Sequence, residues 1–159
     1  MTRVSARRRE LLAELDRESR RTGSVGAMHS KAIADRLGVH GTDFECLDVL
    51  DWTGPITAGE LARHLGLTAG AVTGLIDRLE ERGWVRRVRD PSDRRKVIVE
   101  LAPRPGLDSE AAAMFGPLAS EMGEVNASYD DEQLEAIVTW LQQANAAVQR
   151  STERLRGGA

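Results

Sequence analysis

Apolar residues recur at helical spacing over most of the chain, and this pattern predicts a mainly helical protein. Residues 5–21 place three leucines among charged residues and predict a first amphipathic helix, which Gly23 and Gly26 close. Residues 30–37 predict a second, shorter helix, and Gly38 is a suitable C-terminal stop for it.

Threonines mark the starts of the three helices that follow. Thr42 and Thr57 each stand three residues before a glutamate, which is the pattern of a capping box. Thr68 precedes a longer helix, and Gly66 and Gly83 close the last two helices. The apolar stripe of the longer helix consists of Val72, Leu75, Ile76 and Leu79. Residues 66–68 form a tight turn between these two helices, and two helices joined in this way predict a helix-turn-helix.

The pattern changes after Gly83 from helical spacing to alternation. Residues 84–89 form one arm of a predicted hairpin, and residues 94–101 form the other, in which apolar and polar positions alternate. The Asp-Pro-Ser-Asp string at 90–93 has the chemistry of a turn. A β-hairpin directly after a helix-turn-helix is the wing of a winged helix.

Two more helices are predicted after the wing, over 107–122 with a bend at Gly116–Pro117, and from a cap at Asp130 toward residue 155. Their apolar faces, with that of the first helix, exceed what a small winged helix can cover, and so they are candidates for a dimer interface. The predicted fold class is mainly α with a small β-hairpin wing (α+β). The predicted single domain, 1–159, consists of a winged helix-turn-helix over 42–101 and helical dimerisation regions over 5–40 and 107–156.

Composition supports a folded domain, because 41% hydrophobic and 30% charged residues in 159 lie within the globular range. The N-terminal segment is charged and lacks the apolar core of a secretory signal, and no apolar run approaches the roughly 20 residues needed to cross a bilayer. We therefore expect a cytoplasmic protein without a membrane partner. One cysteine and three scattered histidines predict neither a disulfide nor a metal site.

The net charge of −3 argues against a nucleic-acid partner, but the distribution of charge reverses that inference. Residues 107–135 carry eight acidic and no basic residues, whereas residues 82–96 carry seven basic residues and two acidic ones. Concentrated like charge is destabilising without a polyanion, so the basic cluster predicts contact with nucleic acid. Its members are Arg82, Arg86, Arg87, Arg89, Arg94, Arg95 and Lys96.

The start of the longer helix, residues 68–74, has the small side chains that let a helix backbone approach the major groove. Its free amides and helix dipole favour a phosphate. Arg78 lies farther along, where it is long enough to reach the DNA backbone. The side chains left facing outward are Ala69, Gly70, Thr73 and Asp77. The alternative is that Gly70 and Gly74 only permit close helix packing, and that the basic hairpin is a solvated surface.

Three strings carry a resemblance to a known family: ITAGELA with HLG over 56–66, LIDRLEERGWVRR over 75–87 and DPSDRRK over 90–96. The chain resembles the MarR family of bacterial transcriptional regulators, and the last string is close to that family's wing signature. The resemblance covers nearly the whole chain. It implies a homodimer with interdigitating terminal helices, whose two winged helices bind double-stranded DNA at a pseudo-palindromic operator, usually as a repressor.

The resemblance also implies roles for single residues. Arg94 at the wing tip is expected to enter the minor groove, and Asp93 to orient a wing arginine. Nearby phosphate or structural partners are Arg86, Arg95 and Lys96. The residues on or near the major groove are Thr68, Gly70, Ala71, Thr73 and Arg78, and Ala69 and Gly74 complete the predicted DNA-binding set. Ala69, Gly70 and Gly74 offer little hydrogen bonding to bases, which favours readout of DNA shape.

In the resembled family the region of the second helix borders an effector cleft. This implies a small aromatic effector, with His29, Phe44 and Trp52 as its contacts. Cys46 has two interpretations, since some MarR-like regulators use a reactive cysteine as a redox sensor. Its place in an apolar stripe with Phe44 and Leu47 favours core packing, because a buried thiol without a cationic neighbour is inert.

Two other classes of function stay open beside a sequence-specific, ligand-responsive transcriptional repressor. The first is an enzyme, for which no nucleophile elbow, phosphate loop or His-Glu metal motif is present, so that neither catalytic residues nor a cofactor is predicted. The second is a winged helix used only for protein contacts, since a fold does not fix a function. The basic wing discriminates between the second class and a regulator, because only a regulator has DNA binding to lose.

Overall fold

The computed structural model describes residues 5–90, 93, 96–103 and 107–157, including side chains except those of 107–112. The chain divides into two compact units, Met1–Pro105 and Gly106–Ala159. The elements of the first unit are α1 (Ala6–Leu37), α2 (Gly41–Thr53), β1 (Ile56–Thr57), α3 (Ala58–Leu65), α4 (Ala69–Glu81), β2 (Val85–Arg89) and β3 (Val97–Leu101). Those of the second are α5 (Leu107–Asn126) and α6 (Asp131–Gly157). The predicted fold class, a mainly helical winged helix-turn-helix, is confirmed.

The N-terminal helix α1 is one element of 32 residues, where the sequence predicts two. The predicted stops at Gly23 and Gly26 are wrong. A glycine inside a helix keeps its backbone N–H and costs only about 1 kcal/mol relative to alanine, so it does not by itself end the helix. Gly38 does end it, because its left-handed φ of 62° turns the chain and its N–H donates back to the carbonyl of Ala34.

Helix α2 begins at Gly41, two residues earlier than a capping box with Thr42 as its N-cap allows. His40 is the N-cap residue and makes no side-chain cap hydrogen bond. Thr42 therefore lies inside the first turn instead of at the cap, and the predicted capping box with Glu45 is wrong. The first turn contains Asp43, a negative charge of the sign that a helix N-terminus favours.

The helix-turn-helix forms as predicted, through the predicted caps. The Thr57 backbone N–H donates to Glu60 Oε2 at 2.8 Å, and the Glu60 N–H donates to Thr57 Oγ1 at 3.2 Å, which completes a capping box at α3. Gly66 ends α3 with a φ of 67°. Thr68 Oγ1 then accepts the Ala71 N–H at 3.3 Å and begins α4.

The wing is a three-stranded antiparallel sheet in the order β1-β3-β2. The predicted hairpin is β2 with β3, in a register that pairs Val85 with Leu101 and Arg89 with Val97. The sequence does not predict β1, because two residues are too short to show alternation. β1 pairs Ile56 with Val99 and leads directly into α3, so it joins the wing to the helix-turn-helix.

The core of the first unit lies where α2, α3, α4 and the sheet meet. All four members of the stripe predicted on α4 are buried. Trp84 is also buried, and its backbone N–H donates to the carbonyl of Leu79 at 2.9 Å, which holds the start of the wing against the end of α4. The most deeply buried side chains are Cys46, Leu61, Val72, Leu75, Ile76, Leu79, Val85 and Val99.

The second unit consists of two helices. α5 continues through Pro117 to Asn126, four residues beyond its predicted end. Asp130 caps α6 as predicted, since its Oδ1 accepts the Gln133 N–H at 2.9 Å. Among the described side chains of this unit, residues 113–157, none is buried. Its exposed large apolar residues are Phe115, Leu118, Met122, Val125, Tyr129, Ile137, Val138, Trp140, Leu141, Val148 and Leu155.

Candidate nucleic-acid interface

The N-terminal half of α4 presents a face of small, exposed side chains. The exposed residues are Thr68, Ala69, Gly70, Ala71 and Thr73, and Gly74 is half-buried. The Thr73 hydroxyl donates to the carbonyl of Ala69 at 2.9 Å, so its oxygen keeps acceptor capacity toward the outside. This arrangement lets a flat or concave partner approach the helix backbone closely.

The glycines on this face are not required by packing within the chain. A Cβ added to Gly70 meets nothing within 4 Å, and one added to Gly74 meets only the Arg78 guanidinium, at an ordinary 4.0 Å. Close helix packing was the alternative explanation for these two glycines. The open space at Gly70 removes that explanation, at least for contacts within one chain.

The electrostatics at the start of α4 favour an anion. Its first turn contains no acidic residue, whereas the first turns of α3 and α6 do. The partial positive charge of this helix N-terminus is therefore not compensated by an acid in its own first turn. The first four N–H groups of an α-helix have no backbone acceptor within the helix, and in α4 the Thr68 hydroxyl accepts one of them, from Ala71.

Arg87 in β2 forms ion pairs and a backbone hydrogen bond that connect the wing to α4. Its Nη2 donates to Asp77 Oδ1 at 2.6 Å, its Nη1 contacts Glu80 Oε2, and its backbone N–H donates to Glu80 Oε1 at 3.0 Å. Burial lowers the pKa of Arg87, but the hydrogen bonds to the two carboxylates outweigh burial and raise it. The sequence does not predict this role for Arg87. The contact also neutralises Asp77, the exposed acid of α4.

Two further members of the basic cluster have partners inside the protein. Arg86 and Glu100 are directly opposed in the β2–β3 register, and Arg86 Nε lies 2.6 Å from Glu100 Oε1. Arg82 donates to the carbonyl oxygen of Gly38 at 2.9 Å. Arg82, Arg86 and Arg87 therefore have structural roles within the protein, which the charge pattern alone does not predict.

Part of the wing tip lies outside the described residues, and Arg94 and Arg95 belong to that part. The described part is a turn in which the Asp90 N–H donates to the Lys96 carbonyl at 3.0 Å and the Lys96 N–H donates to the Asp93 carbonyl at 2.9 Å. The Lys96 side chain is exposed. The roles of Asp93, Arg94, Arg95 and Lys96 stay predictions.

Arg78, predicted near the DNA, is bound to a buried acid, Asp43, which has no role among the predictions from the sequence. Its Nη2 donates to Asp43 Oδ1 at 2.6 Å, and Asp43 is only 3% exposed. The signal in the sequence was an acidic residue on the same face of α2 as Cys46, Leu47 and Leu50. A charge in an apolar stripe needs a partner, but the sequence alone does not say which one.

The three predicted effector contacts differ in their surroundings. Phe44 is buried in the first unit, whereas His29 is exposed and Trp52 is 58% exposed. The Trp52 ring meets the ring of His64 edge-to-face, with centroids 5.2 Å apart. Trp52 thus presents an exposed aromatic ring, and the effector contact stays a prediction.

The Cys46 thiol is fully buried, and burial together with the nearby charge of Asp43 raises its pKa to about 12. At about pH 8 the thiol is almost entirely protonated and shielded, and only the thiolate attacks a disulfide. We expect the native protein not to react with a chromogenic aromatic disulfide, and the guanidinium-unfolded protein to react fully. Rapid modification of native protein with release of bound DNA would instead establish the redox interpretation.

Two kinds of site are absent from the described part of the chain. No group of three or more His, Cys, Asp or Glu side chains there is placed to hold a metal ion. Likewise, no helix within it combines the length and the apolar character needed to span a membrane.

Comparison with known proteins agrees with this geometry. Residues 39–97 match the sequence model of the MarR family. The HTH-type transcriptional regulator YcgE of Bacillus subtilis (strain 168) is 36% identical over 137 residues, covering 86% of this chain and 88% of YcgE. The multiple antibiotic resistance protein MarR of Salmonella typhimurium is 39% identical over 67 residues, covering 42% of this chain and 46% of that protein.

Among solved structures, a MarR family protein from Bacillus stearothermophilus superposes with a TM-score of 0.60 at 23% identity, over 88% of this chain and 96% of that one. At this identity the likeness shows the fold. The extent of the match to YcgE, the family match over the helix-turn-helix and wing, and the fold together lead to one conclusion: the chain belongs to the MarR family and is a DNA-binding transcriptional regulator, not an enzyme.

Proposed function

We propose that this regulator is a repressor that binds a pseudo-palindromic operator as a homodimer. In this proposal the start of α4 of each protomer enters the major groove, and the wing tip enters the adjacent minor groove. The observation that carries it is the exposed small-residue face of α4 beside a wing that Arg87 holds in place. A helix with this face fits a groove about 12 Å wide.

The apolar faces of the long helices support the homodimer. α1 exposes Leu11, Leu12 and Leu15, and the described part of the second unit has exposed apolar residues but no buried one. Soluble proteins rarely leave so many large apolar side chains in water without a partner. A second copy, related by a two-fold axis, covers equivalent faces on both chains, and such a dimer reads two half-sites of a palindrome.

The chemistry of the α4 face supports readout of DNA shape and backbone more than of bases. Ala69, Gly70 and Ala71 carry no polar side-chain atoms, so they cannot hydrogen-bond to base edges. The uncompensated N-terminus of α4 and the exposed Lys96 favour phosphates, which position a protein on DNA without reading the sequence. We infer that deformability and groove width of the operator supply much of the specificity.

The wing supplies the test of this function. Replacing Arg94 and Arg95 together by alanine is expected to weaken operator binding at least about 100-fold, or ~2.8 kcal/mol, because two cations leave the DNA. Sedimentation should show an unchanged dimer, and the slope of log K against log salt should become shallower. A gel mobility shift across salt concentrations measures both quantities.

A matched control removes the same charge elsewhere. Lys31→Ala with Arg36→Ala takes two exposed cations from α1, and operator binding should change little. If the wing double variant keeps full DNA affinity, the basic wing is not at the DNA. If the wild-type protein shows no DNA binding to lose, the protein-interaction interpretation takes the place of the proposal.

We further propose that a small aromatic acid releases the repressor from DNA. The supporting observation is the exposed ring of Trp52, which lies at the end of α2 against His64. A thermal-shift screen with such acids tests this, since a ligand that binds only the native state raises the unfolding temperature. No stabilisation by any of them would count against an aromatic effector.

A further inference from the structure

Two arginines one helical turn apart, Arg78 on α4 and Arg82 at the C-cap of α4, point toward the first two helices. Arg78 Nη2 donates to Asp43 Oδ1 of α2 at 2.6 Å. Arg82 Nη1 donates to the carbonyl oxygen of Gly38, which ends α1, at 2.9 Å, and its Nη2 lies 3.4 Å from the carbonyl oxygen of Leu37. The second half of α4 is therefore tied to α1 and α2 at two points.

The burial of Asp43 makes the first tie obligatory. The Asp43 side chain is only 4% exposed, so water cannot replace the guanidinium that neutralises it. Moving Arg78 away to a DNA phosphate would leave a buried carboxylate without its charged partner, which is strongly unfavourable. The hydrogen bond and the charge of Asp43 also raise the pKa of Arg78, in keeping with a firmly held pair.

The course of the Arg78 side chain agrees with this. A Cβ on Gly74 would lie 4.0 Å from Arg78 Nη1, so the side chain runs back along α4 over the preceding turn. The guanidinium thus lies between Gly74 and Asp43, and it is half-exposed while one nitrogen is occupied. Its position relative to α4 is fixed by α2.

We propose that Arg78 is a positioning residue for operator recognition, and that Asp43 and Arg78 together set the orientation of α4 against α2. Arg82 fixes the end of the same helix to the last turn of α1. Operator recognition then depends on Asp43, a buried residue on another helix. The inference rests on the proposed function, because it requires that α4 reads the operator.

The test uses the 159-residue chain and three variants of it: Asp43→Asn, Arg78→Met and the double variant Asp43→Asn/Arg78→Met. The probes are a duplex of about 30 bp that the wild type selects from a random pool, long enough for two half-sites, and a scrambled duplex of equal length. We expect each single variant to lose at least about tenfold in operator affinity while affinity for the scrambled duplex is kept. The double variant should bind the operator no more weakly than the single variant with the lower affinity, because the two residues act as one unit.

The salt dependence separates positioning from direct contact. A positioning residue leaves the slope of log K against log salt as in the wild type. The results differ if Arg78 binds a DNA phosphate directly. In that case Arg78→Met lowers the affinities for both duplexes by a similar factor and reduces the slope by about 1. Asp43→Asn then frees the Arg78 guanidinium, and DNA binding is equal to that of the wild type or tighter. That second pattern overturns the inference.

Asp35→Asn is the matched control, since it neutralises an aspartate of an exposed pair on α1, with Asp35 Oδ2 2.7 Å from Lys31 Nζ. It should bind both duplexes as the wild type does. If Arg78→Met fails to fold, the double variant replaces it in the test, because the double variant buries no unpaired charge. Wild-type operator affinity in the double variant refutes the inference. A wild-type protein without operator preference overturns the proposed function and the inference with it, whereas the phosphate-ligand pattern overturns the inference alone.

Discussion

Gly70→Glu is expected to abolish operator binding while leaving the protein folded and slightly more stable. Gly70 is the second residue of α4, it is exposed, and a side chain added there meets nothing within 4 Å. Glutamate is a better helix former than glycine by up to about 1 kcal/mol. A carboxylate in the first turn also interacts favourably with the helix dipole, by about 0.3–1 kcal/mol.

The same carboxylate faces the DNA phosphates if the start of α4 enters the major groove. We expect a loss of at least about 100-fold in operator affinity, or ~2.8 kcal/mol, from charge repulsion and steric exclusion of the helix backbone. Titration of labelled operator by fluorescence anisotropy measures the affinity, and thermal unfolding measures the stability. The opposite signs of the two effects separate loss of contact from loss of fold.

Gly41→Glu is the control for this variant. Gly41 is the first residue of α2, is exposed, and also has nothing within 4 Å of an added Cβ. Gly41 lies three residues after Gly38, whose carbonyl accepts a hydrogen bond from Arg82 at the C-terminal end of α4. Gly41 is therefore near the end of α4 opposite to Gly70, and α4 is roughly 20 Å long at 1.5 Å per residue. Its operator affinity should stay within about threefold of the wild type. Wild-type affinity in folded Gly70→Glu would show that this end of α4 does not approach DNA.

Leu79→Ala is expected to give the largest loss of stability. Leu79 is fully buried at the C-terminal half of α4, where it belongs to the core formed with the sheet and the other helices. Removing its side chain costs the transfer free energy of the lost atoms plus that of the cavity left behind, about 2–5 kcal/mol in total. Chemical denaturation at one fixed protomer concentration measures it, because dimerisation makes apparent stability concentration-dependent.

Val97→Ala provides the comparison, since Val97 lies in the same unit but is half-exposed at the start of β3. Its truncation should cost no more than about 0.5 kcal/mol, as for other surface positions. If Leu79→Ala costs as little as Val97→Ala, then the packing described for the end of α4 is not the packing in solution.

The helix starts could be predicted where local chemistry decides them. Thr57 and Thr68 cap their helices with their own hydroxyls, within three residues along the chain. The helix ends were harder, because a glycine stops a helix only where the chain takes up a left-handed conformation. Gly38 does so and Gly26 does not, although both follow apolar stripes, and neighbouring residues alone do not reveal the difference.

The face of α4 could be predicted because periodicity alone separates its buried side from its exposed side. The ion pairs around it could not. Arg78 meets an aspartate 35 positions away, and Arg87 reaches back 10 positions to Asp77, so both depend on how separate elements pack. The pair of Arg86 with Glu100 follows only once the strand register is known. Charge patterning therefore overstates how many cations of the basic cluster are available to DNA.

The most direct test of the account is binding of the purified protein to DNA from upstream of its own gene, measured by mobility shift from low to high salt with a random duplex as competitor. A regulator anchored on phosphates by α4 and the wing should form a complex of two protomers per duplex that survives the competitor. Its affinity should fall steeply with salt, because each phosphate contact releases counterions. No complex even at low salt would contradict the account and leave only the fold.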